Sequence, residues 1–451
     1  MDPTMSNVRS KSVILILLCS AFSIVTGRLL DQSSGAGTSS YRAVYFGARC
    51  LIQHADPYNP DQFSRVYMAE SGALPKDPVR RPLFLRAVMV CVNLPTTLFL
   101  LIPLALLPWG LSSVLWLALI AVSLTMAAVL TYDLTVKQNS HLPLILICFI
   151  MANCQVLFTV ANTAGIAVGL CVIAVWCFIR QRFEWMGVFA LAFSLALKPH
   201  DSGLVWLWLL VSGGVLRRRA LQTAILVAAI ALPAVLVVAH SSPHWRTELA
   251  GNLAATSAHG DISDPGPTSN SRQGSADIII DLQTVLSLFR DDPRFYNPAT
   301  YLSCGLLILL WLGSGLLSRP VQLSRLDALA CLAPLTMLIS YHRPYDAKLL
   351  LLAIPAISLL KAERGRWRNL AVVVTTAAVF FTSDLPLALL AALTRALRVP
   401  NLGSSDRILL LPMLRPTPIA LLLMAVVFLC IYLSRAGTEA PAVVFAPKGS
   451  Q

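Results

Sequence analysis

The chain alternates long apolar blocks with short polar connections. Thirteen blocks can be drawn, at residues 12–30, 83–107, 111–130, 142–160, 163–179, 185–197, 202–216, 221–239, 299–317, 326–341, 349–360, 370–393 and 408–433. A helix needs about 20 mostly apolar residues to cross a bilayer. Most blocks approach that length and several fall short. The pattern predicts an all-α, polytopic transmembrane bundle.

Positive charge orients it. Arg9 and Lys11, Arg180 and Arg182, the Arg217-Arg218-Arg219 run, Arg319 and Arg325, the basic stretch 361–368 and the tail after Arg435 carry the excess of Lys and Arg expected on the cytoplasmic side. The turns at 198–201 and 342–346 then face outward. Thirteen crossings would separate the termini, yet both carry the inside signal. The expectation is about twelve spans, with one block between 83 and 160 failing to cross. Pro95, Pro103 and Pro108 interrupt the pattern there. Such irregular backbone is tolerated at membrane depth only where protein or a water-filled cavity covers it.

Two long polar regions, 31–82 and 240–298, read as external loops. In the first, Val44, Ala48, Leu51 and Ile52 share one helical face, while Arg42, Tyr45, Arg49 and Gln53 share another. This predicts an amphipathic helix over 41–54 at the membrane surface, capped by Ser40 and stopped by Asp56-Pro57-Tyr58-Asn59-Pro60. The second loop is rich in Ser, Asp, Gly and Pro to residue 276, and 277–289 reads as a short helix against the bilayer. Residues 436–451 read as a disordered cytoplasmic tail, leaving 1–435 as a single transmembrane domain.

Composition agrees with the pattern. Mean hydropathy is +0.70 and 13% of residues are charged, against roughly 25% in a soluble domain. The net charge of +13 lies in the connections rather than on a stripe interleaved with aromatics, so no nucleic-acid partner is expected. Of ten cysteines only Cys50 lies in a loop, and no CxxC pair occurs. Neither a zinc framework nor a disulfide framework follows, and the cysteines read as small apolar residues. The first block follows Arg9 and Lys11 without a small-x-small cleavage site, which reads as an uncleaved span. Gly165 and Gly169 sit at a spacing that suits helix packing.

The run Tyr41-Arg42-Ala43-Val44-Tyr45-Phe46-Gly47-Ala48-Arg49, followed by Asp56-Pro57-Tyr58, resembles the first external loop of glycosyltransferase family 87. That family comprises polyprenyl-phosphate-mannose-dependent mannosyltransferases and their relatives. Asn153-Cys154-Gln155, Leu197-Lys198-Pro199 and the turn from Tyr341 to Asp346 are similar to further family features, so the resemblance covers roughly residues 12–360. It implies a GT-C architecture in an inner (plasma) membrane, with both termini cytoplasmic. It also implies transfer of a mannose-like hexose, at the external face, from a polyprenyl-phosphate carrier to a lipid or glycan acceptor. No cofactor beyond that donor is implied. The same alignment puts Ser40 where the family carries its first-loop aspartate, the general base.

Such a transfer needs a carboxylate to take the acceptor's proton, cations to stabilise the departing phosphate, and an apolar groove for the lipid. Asp31, Asp56 and Asp346 are the catalytic candidates. Lys198, His200, His342, Arg343 and Lys348 at external helix ends, with Tyr58, are the substrate-binding candidates. Alone, Arg343 and Lys348 also read as interface anchors, and Asp56 as a turn cap. No hard-cation cage is evident, and no metal is expected. Two other classes compete. A catalytically inactive relative acting as partner or scaffold accounts for Ser40. A transporter would carry ionisable residues near mid-membrane, where only Lys198, Asp384 and Arg415 come into question.

Overall fold

The computed structural model describes residues 3–34, 37–70, 74–75, 81–135, 141–267, 279–317, 322–362, 367–396 and 408–436. Every regular element among the described residues is helical. The first third runs through α1 (Pro3–Ser34), α2 (Ser39–Ile52), α3 (Pro60–Glu70), α4 (Arg81–Met89), α5 (Pro95–Ala105), α6 (Trp109–Thr135), α7 (His141–Ala152) and α8 (Gln155–Val160). Next come α9 (Ala164–Arg180), α10 (Glu184–Leu197), α11 (Pro199–Val211), α12 (Gly214–Ser241), α13 (Trp245–Thr256), α14 (Gln283–Phe289) and α15 (Pro293–Leu317). The chain continues with α16 (Gln322–Ile339), a 3-10 helix (Asp346–Ala353), α17 (Ile354–Ala362), α18 (Arg368–Phe381) and α19 (Asp384–Ala396), and ends in the helix Pro416–Ala436.

Among the described residues, six helices are long and apolar enough to cross a membrane: Arg9–Asp31, Trp109–Thr135, His141–Val160, Gly214–Ser241, Pro293–Leu316 and Pro416–Arg435. The pair α18 and α19, bent by 71°, adds a seventh if counted as one span. This is a multi-pass helical membrane protein. Large apolar side chains such as Leu18, Val122, Ile225, Leu232, Leu302 and Leu309 stand more than half exposed on these helices. Contiguous exposed apolar surface on that scale suits a lipid solvent, not water.

Pro95 breaks its block, while Pro103 lies inside α5. Block 83–107 is two helices, α4 and α5, separated by a break before Pro95, so it does not form one continuous span. Block 142–160 breaks at Asn153-Cys154 between α7 and α8, and block 370–393 bends between α18 and α19. These irregular points satisfy one another. Lys348 donates to the Asn153 carbonyl at 2.6 Å, the Leu385 amide donates to Asn153 Oδ1 at 3.1 Å, and the Val156 amide donates to Asp384 Oδ2 at 2.8 Å. Unpaired backbone is costly where water is scarce, so breaks that cap each other are the stable arrangement.

Small residues set the closest helix contact. A Cβ on Gly165 would stand 2.6 Å from Ile120, and one on Gly169 would stand 2.8 Å from the Ser123 backbone. The two glycines therefore let α9 seat directly on α6, as the spacing predicts. At one end of the bundle Asp133 joins Arg9 and Arg180, and Arg435 pairs with Asp327 at 2.6 Å. The helices that end in the 198–201 and 342–346 turns have their other ends at this arginine-bearing side.

Three local expectations are corrected. Ser40 is not the cap of α2; the helix begins at Ser39, and Thr38, in the left-handed region at φ 53°, precedes it. Nor does α2 lie on the bilayer: Tyr41, Val44, Tyr45, Phe46, Ala48, Cys50 and Leu51 are all buried in protein. The polar face is covered because its tyrosines find partners. Tyr41 bonds with Ser112 and stacks on Trp116 at 4.9 Å, Tyr45 donates to the Leu107 carbonyl at 2.8 Å, and Arg49 pairs with Glu70. Likewise α14 packs in protein rather than against lipid, with Gln283, Thr284 and Ser287 buried. Residues 268–278 of the serine-rich second loop and the tail after 436 lie outside the described residues.

Candidate functional site

A cavity of about 740 Å³ opens at the end of the bundle opposite the arginine cluster. Its wall is largely aliphatic, with Val44, Leu94, Val156, Val160, Leu197 and Leu387 among its side chains. Polar groups gather on it from distant parts of the chain. Lys198 and His200 come from the α10–α11 turn, Tyr341, Arg343 and Tyr345 from the turn after α16, and Ser40 from α2. Asn162 precedes α9, and Asp384 opens α19. Residues Thr256, Ile262 and Ser263 of the second loop close over it.

The α10–α11 turn forms because Pro199 cannot continue α10 and instead starts α11 at its first position. The partner turn starts where α16 gives way to Pro344 and the 3-10 helix. The two turns are locked by charge. Lys198 Nζ bonds to Asp346 Oδ1 and lies 3.4 Å from Asp201 Oδ2, while the Arg343 amide donates to Asp346 Oδ2 at 2.8 Å. Asp201 and Asp346 are 1% and 2% exposed, so these are buried carboxylates that need their cationic partner. Arg343 itself is steered by the Tyr341 hydroxyl and by the Ile262 carbonyl at 3.1 Å.

Behind the cavity wall, Asp201 faces two imidazoles. His342 Nε2 lies 3.3 Å and His200 Nε2 lies 3.8 Å from Asp201 Oδ1. His342 is buried, with Nδ1 at 2.8 Å from the Ser340 carbonyl. His200 is on the open side, its side chain 40% exposed.

Each sequence-derived candidate has a definite place. Lys198, His200 and Arg343 line the cavity; His342 and Asp346 lie just behind them. Four other candidates are elsewhere. Asp31 pairs with Arg28 and lines a separate pocket with Gly37, Thr38 and Arg42. Asp56 caps its own turn, accepting the Tyr58 amide at 2.8 Å, and neighbours Glu248. Burial, with the Asp56 carboxyl beside it, pushes Glu248 above the ordinary value of 4.5. Tyr58 is buried, with its hydroxyl on the Asn93 carbonyl at 2.8 Å, and is not a lining residue. Lys348 is buried on the Asn153 carbonyl, where it holds a helix break rather than facing a ligand.

No family model, curated protein or solved structure matches the chain.

Two residues carry more weight than their sequence context suggests. Asp384 is the only carboxylate among the cavity's lining residues; in the sequence it sits inside an apolar block. Ser40 lines the same cavity and accepts a hydrogen bond from Asn162 Nδ2 at 3.1 Å. Asp201 was visible beside His200, but nothing in its spacing tied it to His342.

Proposed function

We propose that this chain is a GT-C-type membrane glycosyltransferase of about twelve spans. On this reading it moves a mannose-like hexose from a polyprenyl-phosphate carrier to a lipid or glycan acceptor at the external face of an inner membrane, with both termini cytoplasmic. The observation that carries the reading is the convergence of Lys198, Arg343, His200 and Asp384 on one largely aliphatic cavity that also holds Ser40. A lipid-linked sugar phosphate presents the matching chemistry: a long apolar chain, an anionic phosphate and a sugar centre open to attack.

In this assignment Lys198 and Arg343 face the phosphate and stabilise the charge that develops as it departs. The guanidinium of Arg343 offers the fork that suits phosphate oxygens. Asp384 takes the acceptor's proton, a role that Ser40 has no chemistry to fill near neutral pH. The aliphatic wall holds the polyprenyl chain.

The test is a transfer assay with purified full-length protein in liposomes containing polyprenyl-phosphate-sugar and lipid acceptors. Asp384→Asn should lower turnover by the roughly 10²–10⁴-fold typical of a lost general base, with the fold retained. The presence of Ser40 at the position of the family's aspartate favours a second reading, a catalytically inactive relative acting as partner. Wild-type protein that binds the donor and never turns it over supports that second reading and removes the first.

A further inference from the structure

We propose that His200, Asp201 and His342 form a three-ligand site for a zinc-class divalent cation, with its open coordination position turned toward the cavity. Two turns separated by more than a hundred residues bring these groups together, and their ligand atoms all lie within 4.8 Å of one another. A tetrahedral zinc with bonds of about 2.0–2.1 Å keeps its ligand atoms roughly 3.3 Å apart. The His342–Asp201 separation of 3.3 Å already has that value; His200 Nε2, 3.8 Å from Asp201 Oδ1 and within 4.8 Å of the His342 ligand nitrogen, has to swing inward by side-chain rotation to complete the set.

The second observation is that the ligand atoms are buried without a hydrogen bond. Asp201 Oδ2 has only the Lys198 ammonium at 3.4 Å, and Asp201 Oδ1 and His342 Nε2 have none. Their close approach at 3.3 Å lacks hydrogen-bond direction, so a carboxylate oxygen and a ring nitrogen face each other across a gap. Leaving such groups unsatisfied is costly, and a bound cation satisfies them together.

The surroundings suit a metal. His342 Nδ1 is at 2.8 Å from the Ser340 carbonyl; donation there directs the Nε2 lone pair at the gap, the usual arrangement behind a ligating histidine. The rings of His200 and His342 are 4.9 Å apart and inclined by 72°, an edge-to-face arrangement. The ammonium of Lys198 stands 3.4 Å from the other carboxylate oxygen, but it is bonded to Asp346. Two imidazoles and one carboxylate select a borderline cation such as zinc over magnesium, which prefers oxygen ligands. Three protein ligands with one open position is the pattern of a working, not a structural, zinc site.

Binding stands on these ligand atoms alone; only the metal's use, neutralising charge on the leaving phosphate, rests on the transferase reading. The test uses the full chain in nanodiscs, stripped with chelator, then titrated with zinc and with magnesium, alongside the visible spectrum of the cobalt-substituted protein. Expected are one zinc per chain, no comparable magnesium binding and the bands of tetrahedral cobalt. His200→Ala, on the exposed side where folding is safe, should weaken zinc by at least the roughly 10–100-fold that loss of an outer-shell partner costs. Asp201→Asn should weaken it as well. Substoichiometric zinc, equal affinity for magnesium, or affinity indifferent to His200→Ala overturns the site. Zinc binding in a protein that never transfers sugar keeps the site and removes its proposed use. Sugar transfer unaffected by chelation removes a working metal and leaves the transferase.

Discussion

The Lys198–Asp346 link is the joint on which the cavity's polar end depends, and its energetics can be worked from its surroundings. Lys198 is 13% and Asp346 is 2% exposed in side-chain terms. Removing one partner of such a buried pair costs about 3–5 kcal/mol, because the other charge is stranded. The two removals are not equivalent here. Lys198→Met strands both Asp346 and Asp201, so it should cost the full 3–5 kcal/mol, on the order of a hundred- to a thousand-fold or more in the folding equilibrium. Asp346→Asn leaves Lys198 with Asp201 at 3.4 Å and should cost clearly less. The double variant Lys198→Met/Asp346→Leu should recover at least about 2 kcal/mol relative to Lys198→Met alone, since it replaces stranded charge by packed hydrocarbon. The assay is reversible unfolding in mixed micelles, with free energies extrapolated linearly in denaturant. Equal single-variant costs that add within about 0.5 kcal/mol would show two uncoupled, solvated charges and refute the reasoning.

Other consequences are narrower. Gly169→Ala should destabilise by about 1–3 kcal/mol, the usual cost of overpacking, because its methyl meets the Ser123 backbone; Gly203→Ala, inside α11 with nothing within 4 Å, should raise the unfolding temperature slightly, since Ala is favoured over Gly in a helix by about 0.5–1 kcal/mol. In an Asp384→Asn background, Ser40→Asp should restore part of any transfer activity, since both positions line one cavity; activity assays on the four combinations decide it. Glu248 is raised above 4.5 in the folded protein, so its protonated form stabilises at low pH and that contribution is lost as pH rises through the folded value. Glu248→Gln should therefore raise the melting temperature slightly at neutral pH and flatten its decline between acidic and neutral conditions.

Some of this was legible in the sequence. The blocks and arginines place both site turns at the same end, because α10 leaves the arginine-bearing side and α16 does the same; that allows Lys198 and Asp346 to meet, and the packing of α11 on α16 brings them together. The break in block 83–107 follows from its prolines. Other features were hidden for physical reasons. Amphipathicity shows that α2 has an apolar face but does not distinguish lipid from protein as its cover, and buried tyrosines that find carbonyls make the polar face coverable too. Asp384 lies in a block whose apolar run conceals a 71° bend, and only the bend turns that carboxylate to the cavity. Lys348 shares a turn with Asp346, yet the 3-10 helix carries it away to the Asn153 break. No spacing rule joins His200 and Asp201 to His342, since their union depends on which helices pack together.

The short lengths of α10 and α11 have a consequence for how a substrate arrives. With 14 and 13 residues, they rise only about 21 and 20 Å at 1.5 Å per residue, against roughly 30 Å of hydrocarbon. Their shared turn stops about 9 Å below the nearer water boundary when the other end is anchored at the opposite one. An amphiphile could therefore slide in laterally from the leaflet on that side with its tail still solvated by neighbouring acyl chains. Only its head group would need to exchange water for protein.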